Sequence, residues 1–124
     1  MIWIIMGIAV ILFLWFLYGY SMNFFLKTEN YTINSPRIAK SFKAVLLADL
    51  HSASFGKKNE KLIRMIDKES PDLILIAGDM VVKNGKKLCV TKEFLTALSN
   101  KYPVYYSPGN HEIRMPDYEK YKNF

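Results

Sequence analysis

Residues 71–79 read Pro71-Asp72-Leu73-Ile74-Leu75-Ile76-Ala77-Gly78-Asp79, and this stretch decides the fold. The proline closes whatever helix precedes it, five apolar residues follow Asp72, and Gly-Asp ends the run. A short apolar run bounded by turn residues is the pattern of a buried strand. A similar run at 45–48 ends in Asp49-Leu50-His51. A third, at 104–106, is opened by Pro103 and passes through Ser107-Pro108 into Gly109-Asn110-His111-Glu112. Asp79 lies 30 residues after Asp49 and Asn110 lies 31 after Asp79, about one βαβ unit each time.

The stretches between these runs carry helical patterns. Over 58–70, Leu62, Ile63 and Ile66 form an apolar face; a turn containing Gly85 follows the second run; and over about 91–100, Phe94, Leu95 and Leu98 point inward. The order β-α-β-α-β predicts an α/β fold with a parallel sheet flanked by helices. In such a sheet the strand ends meet at one edge, where α/β proteins bind ligands. Asp49, His51, Asp79, Asn110 and His111 would converge there.

The N-terminal residues are a separate physical object. No charged side chain occurs from Met1 to Leu26, and the 19 residues 2–20 are almost wholly apolar. At about 1.5 Å per residue they span roughly 29 Å, close to a hydrocarbon core of about 30 Å. Trp3 near one end and Tyr18 and Tyr20 near the other suit interfacial rings. A cleaved signal peptide would want a positive n-region and small residues at its exit; here the α-amino group alone precedes the run, and Tyr18-Gly19-Tyr20-Ser21-Met22-Asn23-Phe24-Phe25 ends it. We expect a retained transmembrane anchor over 1–26. Lys27, Arg37, Lys40 and Lys43 follow the apolar run and no Lys or Arg precedes it. The positive-inside bias then puts the soluble part in the cytoplasm of a single-pass cell-membrane protein. The single cysteine, Cys89, permits no internal disulfide and fits a reducing compartment.

Residues 27–42 read as a polar linker in which Tyr31 and Ile33 alternate with polar neighbours, the pattern of a short edge strand ending at Ser35-Pro36. The net charge of +6 belongs to the part after the anchor, where lysines are scattered rather than banded. That distribution describes a solvated surface; attraction to anionic headgroups or phosphorylated substrates is the functional alternative. No nucleic-acid reader motif accompanies the charge, so no nucleic-acid partner is expected.

Singly, each polar cluster is ordinary: a strand-end Asp is commonly a helix N-cap, and Gly-Asn in a turn is usually only a turn. Their ordered repetition at three strand ends points to metal chemistry. Asp49 and His51, at i and i+2, can point the same way and share one ion. Asp79 on a neighbouring strand could bridge two metals about 3.5–4 Å apart. Asn110 offers a neutral amide oxygen, and His111 beside it could give a proton to a leaving oxygen. Glu112 is an acceptor placed to orient an imidazole. Mixed oxygen and nitrogen ligands suit manganese, iron or zinc better than calcium.

Asp49-Leu50-His51, Gly78-Asp79-Met80-Val81 and Gly109-Asn110-His111-Glu112, over roughly 42–112, resemble the first three signature blocks of the calcineurin-like metallophosphoesterases. With the anchor ahead of them they resemble the bacterial membrane-associated branch. The resemblance implies an α/β/β/α sandwich and two divalent metal ions. Asp49 and His51 would bind one, Asp79 would bridge, and Asn110 would bind the second. It implies a hydrolase in which metal-bound hydroxide attacks a phosphate mono- or diester, with His111 assisting the leaving group. The family's later blocks carry further metal-binding histidines, whereas this chain has His51 and His111. Residues 43–124 are therefore expected to be the N-terminal half of such a domain, from a truncated chain lacking most second-site ligands. The alternative is a non-catalytic membrane-anchored fragment, or a weak metal-binding protein.

Overall fold

The computed structural model of the chain describes residues 2–22, 25–82, 87–116 and 118–122. It divides into two compact units, residues 1–31 and 32–124. The first is dominated by helix α1, Ile2–Met22. Residues 2–21 have a mean hydropathy of 2.4, and none of the helix's sides is polar, so by length and composition α1 is a candidate membrane span.

In the second unit, three parallel strands form one sheet in the order β1-β2-β3. These are β1 Ala44–Leu47, β2 Leu73–Ile76 and β3 Val104–Tyr106. Helix α2, Glu60–Glu69, connects the first pair after a 3₁₀ turn at Lys57–Asn59, and α3, Leu88–Ser99, connects the second. The short helices α4, Asn110–Ile113, and α5, Tyr118–Lys122, follow β3. The expected α/β parallel architecture is therefore present. The turn expected around Gly85 lies outside the described residues.

The core is built from Leu62 and Ile66 of α2, Ile74 and Ile76 of β2, and Phe94 and Leu98 of α3. Val81 and Met115 form a second buried patch against Leu88, Tyr106 and Tyr118. The opposite face of the sheet carries a cross-strand row, Leu46, Leu75 and Tyr105, that is exposed. Asp72 sets the register at the start of the sheet: its carboxylate accepts the Lys43 N–H at 2.7 Å, and its own N–H donates to the Lys43 carbonyl at 2.8 Å.

The expected edge strand does not form. Residues 25–35 carry no regular secondary structure, and Tyr31 and Ile33 are exposed. Alternation shows only that a segment could line a sheet; a strand also needs a neighbour to bond with, and among the described residues this segment pairs with none. A turn does close at the expected place, where the Ile38 N–H donates to the Ser35 carbonyl at 3.1 Å.

Candidate metal centre

The register pairs Leu47 with Ile76 and Ile76 with Tyr106, so the three strands end in one row. The polar loops consequently leave the sheet side by side. All three turn at once, two of them by left-handed backbone. Asp49, His51 and Ser52 have φ of 55°, 47° and 56°, and Gly78 and Asp79 have 85° and 53°. Each non-glycine residue there costs about 1 kcal/mol or more and persists only where its surroundings hold it.

The first loop is held by the second. The N–H groups of Asp49, His51 and Ser52 donate to the carbonyls of Gly78, Asp79 and Met80 at 3.1, 3.0 and 2.8 Å. Asp49 and His51 thus come together inside a coil, not as i, i+2 neighbours on an extended strand end as the pattern suggested. Thr91 of α3 secures the same loops from below, its fully buried hydroxyl 3.3 Å from the Met80 carbonyl and 3.4 Å from the Ser52 hydroxyl.

Close packing of the second and third loops depends on two glycines. A Cβ on Gly78 would run into the backbone of Gly109 and lie 3.0 Å from the Pro108 carbonyl carbon. A Cβ on Gly109 would run into Asp79, 2.8 Å from its carboxyl carbon. With neither present, the His111 N–H donates to Asp79 Oδ1 at 2.8 Å.

Three donor side chains converge at this edge. One ligand atom each from His51, Asp79 and His111 lies within 4.8 Å of the others. The two imidazole rings meet edge to face, with centroids 4.6 Å apart and planes at 69°. Asp49 adjoins the group, its Oδ1 3.5 Å from His51 Nε2, and is largely exposed at 70 %. Asn110 opens α4 at the same edge and is exposed. Two donors about 2.1 Å from a shared ion sit at most about 4.2 Å apart. Separations bounded by 4.8 Å therefore need only small side-chain rotations, and two imidazoles with one carboxylate form a donor set that divalent transition metals accept. The residues fit a metal.

Glu112 does something other than orient an imidazole. It is fully buried, and its carboxylate accepts five hydrogen bonds. Oε1 takes the N–H groups of Met80 at 2.7 Å and Val81 at 3.2 Å and the Tyr106 hydroxyl at 2.9 Å. Oε2 takes the N–H groups of Asp79 at 2.9 Å and Gly109 at 3.0 Å. The Gly109 contact is the backward half of a capping box, which a glutamate three residues after an N-cap makes readable in sequence. The other four contacts depend on tertiary structure and have no sequence signal.

A family model described as calcineurin-like phosphoesterase matches residues 42–124. An uncharacterized metallophosphoesterase of Campylobacter jejuni is 32 % identical over 114 residues, covering 88 % of this chain and 30 % of its own length. One from Helicobacter pylori is 32 % identical over 69 % of this chain and 24 % of its own. The zebrafish transmembrane protein with metallophosphoesterase domain is 27 % identical over 68 % of this chain and 20 % of its own. The chain thus spans under a third of the length of each of these relatives. No solved structure matches it. With its three signature loops assembled at one sheet edge and the family match covering them all, the chain belongs to the calcineurin-like phosphoesterase family.

Proposed function

We propose that this protein is a membrane-anchored, divalent-metal-dependent phosphoesterase acting on a phosphate mono- or diester. The observation that carries this reading is the convergence of His51, Asp79 and His111 within 4.8 Å at the strand ends of a chain of this family. Asp49, His51, Asp79 and Asn110 are the proposed metal-holding residues, with Asp79 shared because its loop lies between the other two. Bound divalent ions in such a site, manganese, iron or zinc here, neutralise phosphoryl charge and acidify water. His111 stands in the same cluster, where its imidazole can give a proton to the leaving oxygen or add a nitrogen to the metal shell. Residues 1–26 are read as the anchor, 27–42 as the linker and 43–124 as the N-terminal part of the phosphoesterase domain, facing the cytoplasm. The α1 span and the family match at 42–124 support that division.

The test is turnover of a chromogenic phosphomonoester and phosphodiester by the micelle-purified protein with manganese. Activity that falls at least about 100-fold in Asp79→Ala supports the reading. Turnover unaffected by that substitution contradicts it. A second reading, a non-catalytic metal-binding membrane protein, is favoured by the single three-donor cluster among the described residues. Stoichiometric metal without turnover would select it.

A further inference from the structure

The geometry points to Glu112 as the positioning residue of the metal centre, a latch that fixes the distance between the loop bearing Asp79 and the loop bearing His111. The inference rests on the metal-binding reading of that site. A fully buried carboxylate is costly unless its oxygens are satisfied, and Glu112 is saturated: five donors meet the roughly four lone-pair positions that it offers. Four of the five donors are backbone N–H groups. Three belong to consecutive residues of the second loop, Asp79, Met80 and Val81, and one to Gly109 at the head of the third. One of them is the N–H of Asp79 itself, a residue held in left-handed backbone that it would otherwise leave. His111 is covalently next to Glu112, so the latch acts on both donors at one bond's remove. Tyr106, at the end of β3, completes it through its hydroxyl.

A latch of this kind has two separable consequences. The amides of residues 79–81 are protected from exchange because they bond to Glu112, and the donor cluster is held ready before a metal arrives. Groups that orient metal ligands from behind are each worth about 10- to 100-fold in affinity. Glu112→Gln keeps the shape but turns an NH₂ group toward N–H donors. Glu112→Asp keeps the charge but is one methylene too short to reach both loops. If Glu112 served the metal only by its negative charge, the Asp variant would bind as the parent does.

The experiment is zinc titration by calorimetry, together with amide exchange of Asp79, Met80 and Val81 in the metal-free, full-length protein in micelles. Both Glu112 variants are expected to lose zinc affinity by about 10- to 100-fold and amide protection by at least about tenfold, with helical content retained. Parental zinc affinity in Glu112→Asp overturns the inference, and loss of protection without loss of affinity does so too, because the carboxylate then only stabilises the loops. A parent protein that binds no zinc refutes the metal-binding reading and the inference with it. Should the Glu112 variants fail to fold, Tyr106→Phe removes one of the five contacts: a few-fold loss of zinc affinity in the folded variant supports the latch, and parental affinity overturns it.

Discussion

The backbone N–H of His111 donates to the carboxylate of Asp79 at 2.8 Å. The side chain at the centre of the donor cluster is therefore also the tie between the second and third strand-end loops. Asp79 has this structural task beside its proposed metal-holding one, and the two can be separated by substitution.

Asp79→Asn keeps the shape and a carbonyl oxygen for the His111 N–H; Asp79→Ala keeps neither. The alanine variant should lose roughly 1.5–3 kcal/mol of stability, the worth of a hydrogen bond to a charged acceptor. The asparagine variant should stay within about 1 kcal/mol of the parent. Both should lose metal affinity. Urea denaturation alongside metal titration separates the effects, and an Asn variant with parental affinity would remove Asp79 from the metal shell.

Gly78→Ala and Gly109→Ala test the close approach of the same loops in different ways. Gly78 has φ +85°, so alanine there adds backbone strain to the collision with Gly109. Gly109 has φ −92°, which any residue adopts, so its alanine meets only the collision with Asp79. Overpacking costs about 1–3 kcal/mol and left-handed alanine about 1 more, so Gly78→Ala should be the more damaging. Equal melting temperatures for both variants and the parent would show that the loops do not press together.

The sequence made the sheet legible because each strand is a short apolar run that leads into a polar cluster, with β2 and β3 also fenced by proline and glycine. Its limits appear at particular residues. The pattern over 58–70 suggested a helix from Lys58, but Lys58 and Asn59 adopt left-handed backbone and α2 begins at Glu60. Helix α3 begins at Leu88, three residues before the expected start near Thr91, and Thr91 is buried against the site loops. The strand-end polar clusters identified the edge where donors gather. They could not reveal that Asp49 and His51 sit in a coil, or that Glu112 reaches back 33 residues to the Asp79 amide. Those facts belong to tertiary contacts, which local patterning does not encode.

Asp67 gives the fold an acid-side dependence. Its carboxylate accepts Lys101 Nζ at 2.8 Å and the Tyr102 hydroxyl at 2.7 Å, joining α2 to the turn before β3. These contacts, Lys101 first, hold its carboxyl below the ordinary 3.8, while Asp67 raises the Tyr102 phenol above 10.0. A depressed folded value means the stabilisation is complete above the unfolded pKa, near about 4, and is lost as pH falls through the folded value. The raised phenol adds a contribution lost as pH rises through its folded value. Melting temperature should therefore fall more steeply below about pH 4 in the parent than in Asp67→Asn. Parallel curves would mean that the exposed pair contributes nothing.

The side of the membrane on which the unit of residues 32–124 lies is open to a direct chemical test, because Cys89 on α3 is exposed. With that unit in the cytoplasm, a membrane-impermeant maleimide should label Cys89 only after the cells are permeabilised. Labelling in intact cells would place the unit on the other side.

The proposed function stands on metal binding at the cluster where His51, Asp79 and His111 converge. Titration of the purified protein with zinc or manganese, repeated on His51→Ala, Asp79→Ala and His111→Ala, tests it most directly. The parent should bind saturably. Because groups behind a ligand are worth about 10- to 100-fold, each variant should bind at least about tenfold more weakly. No saturable binding by the parent, or parental affinity in all three variants, would contradict it.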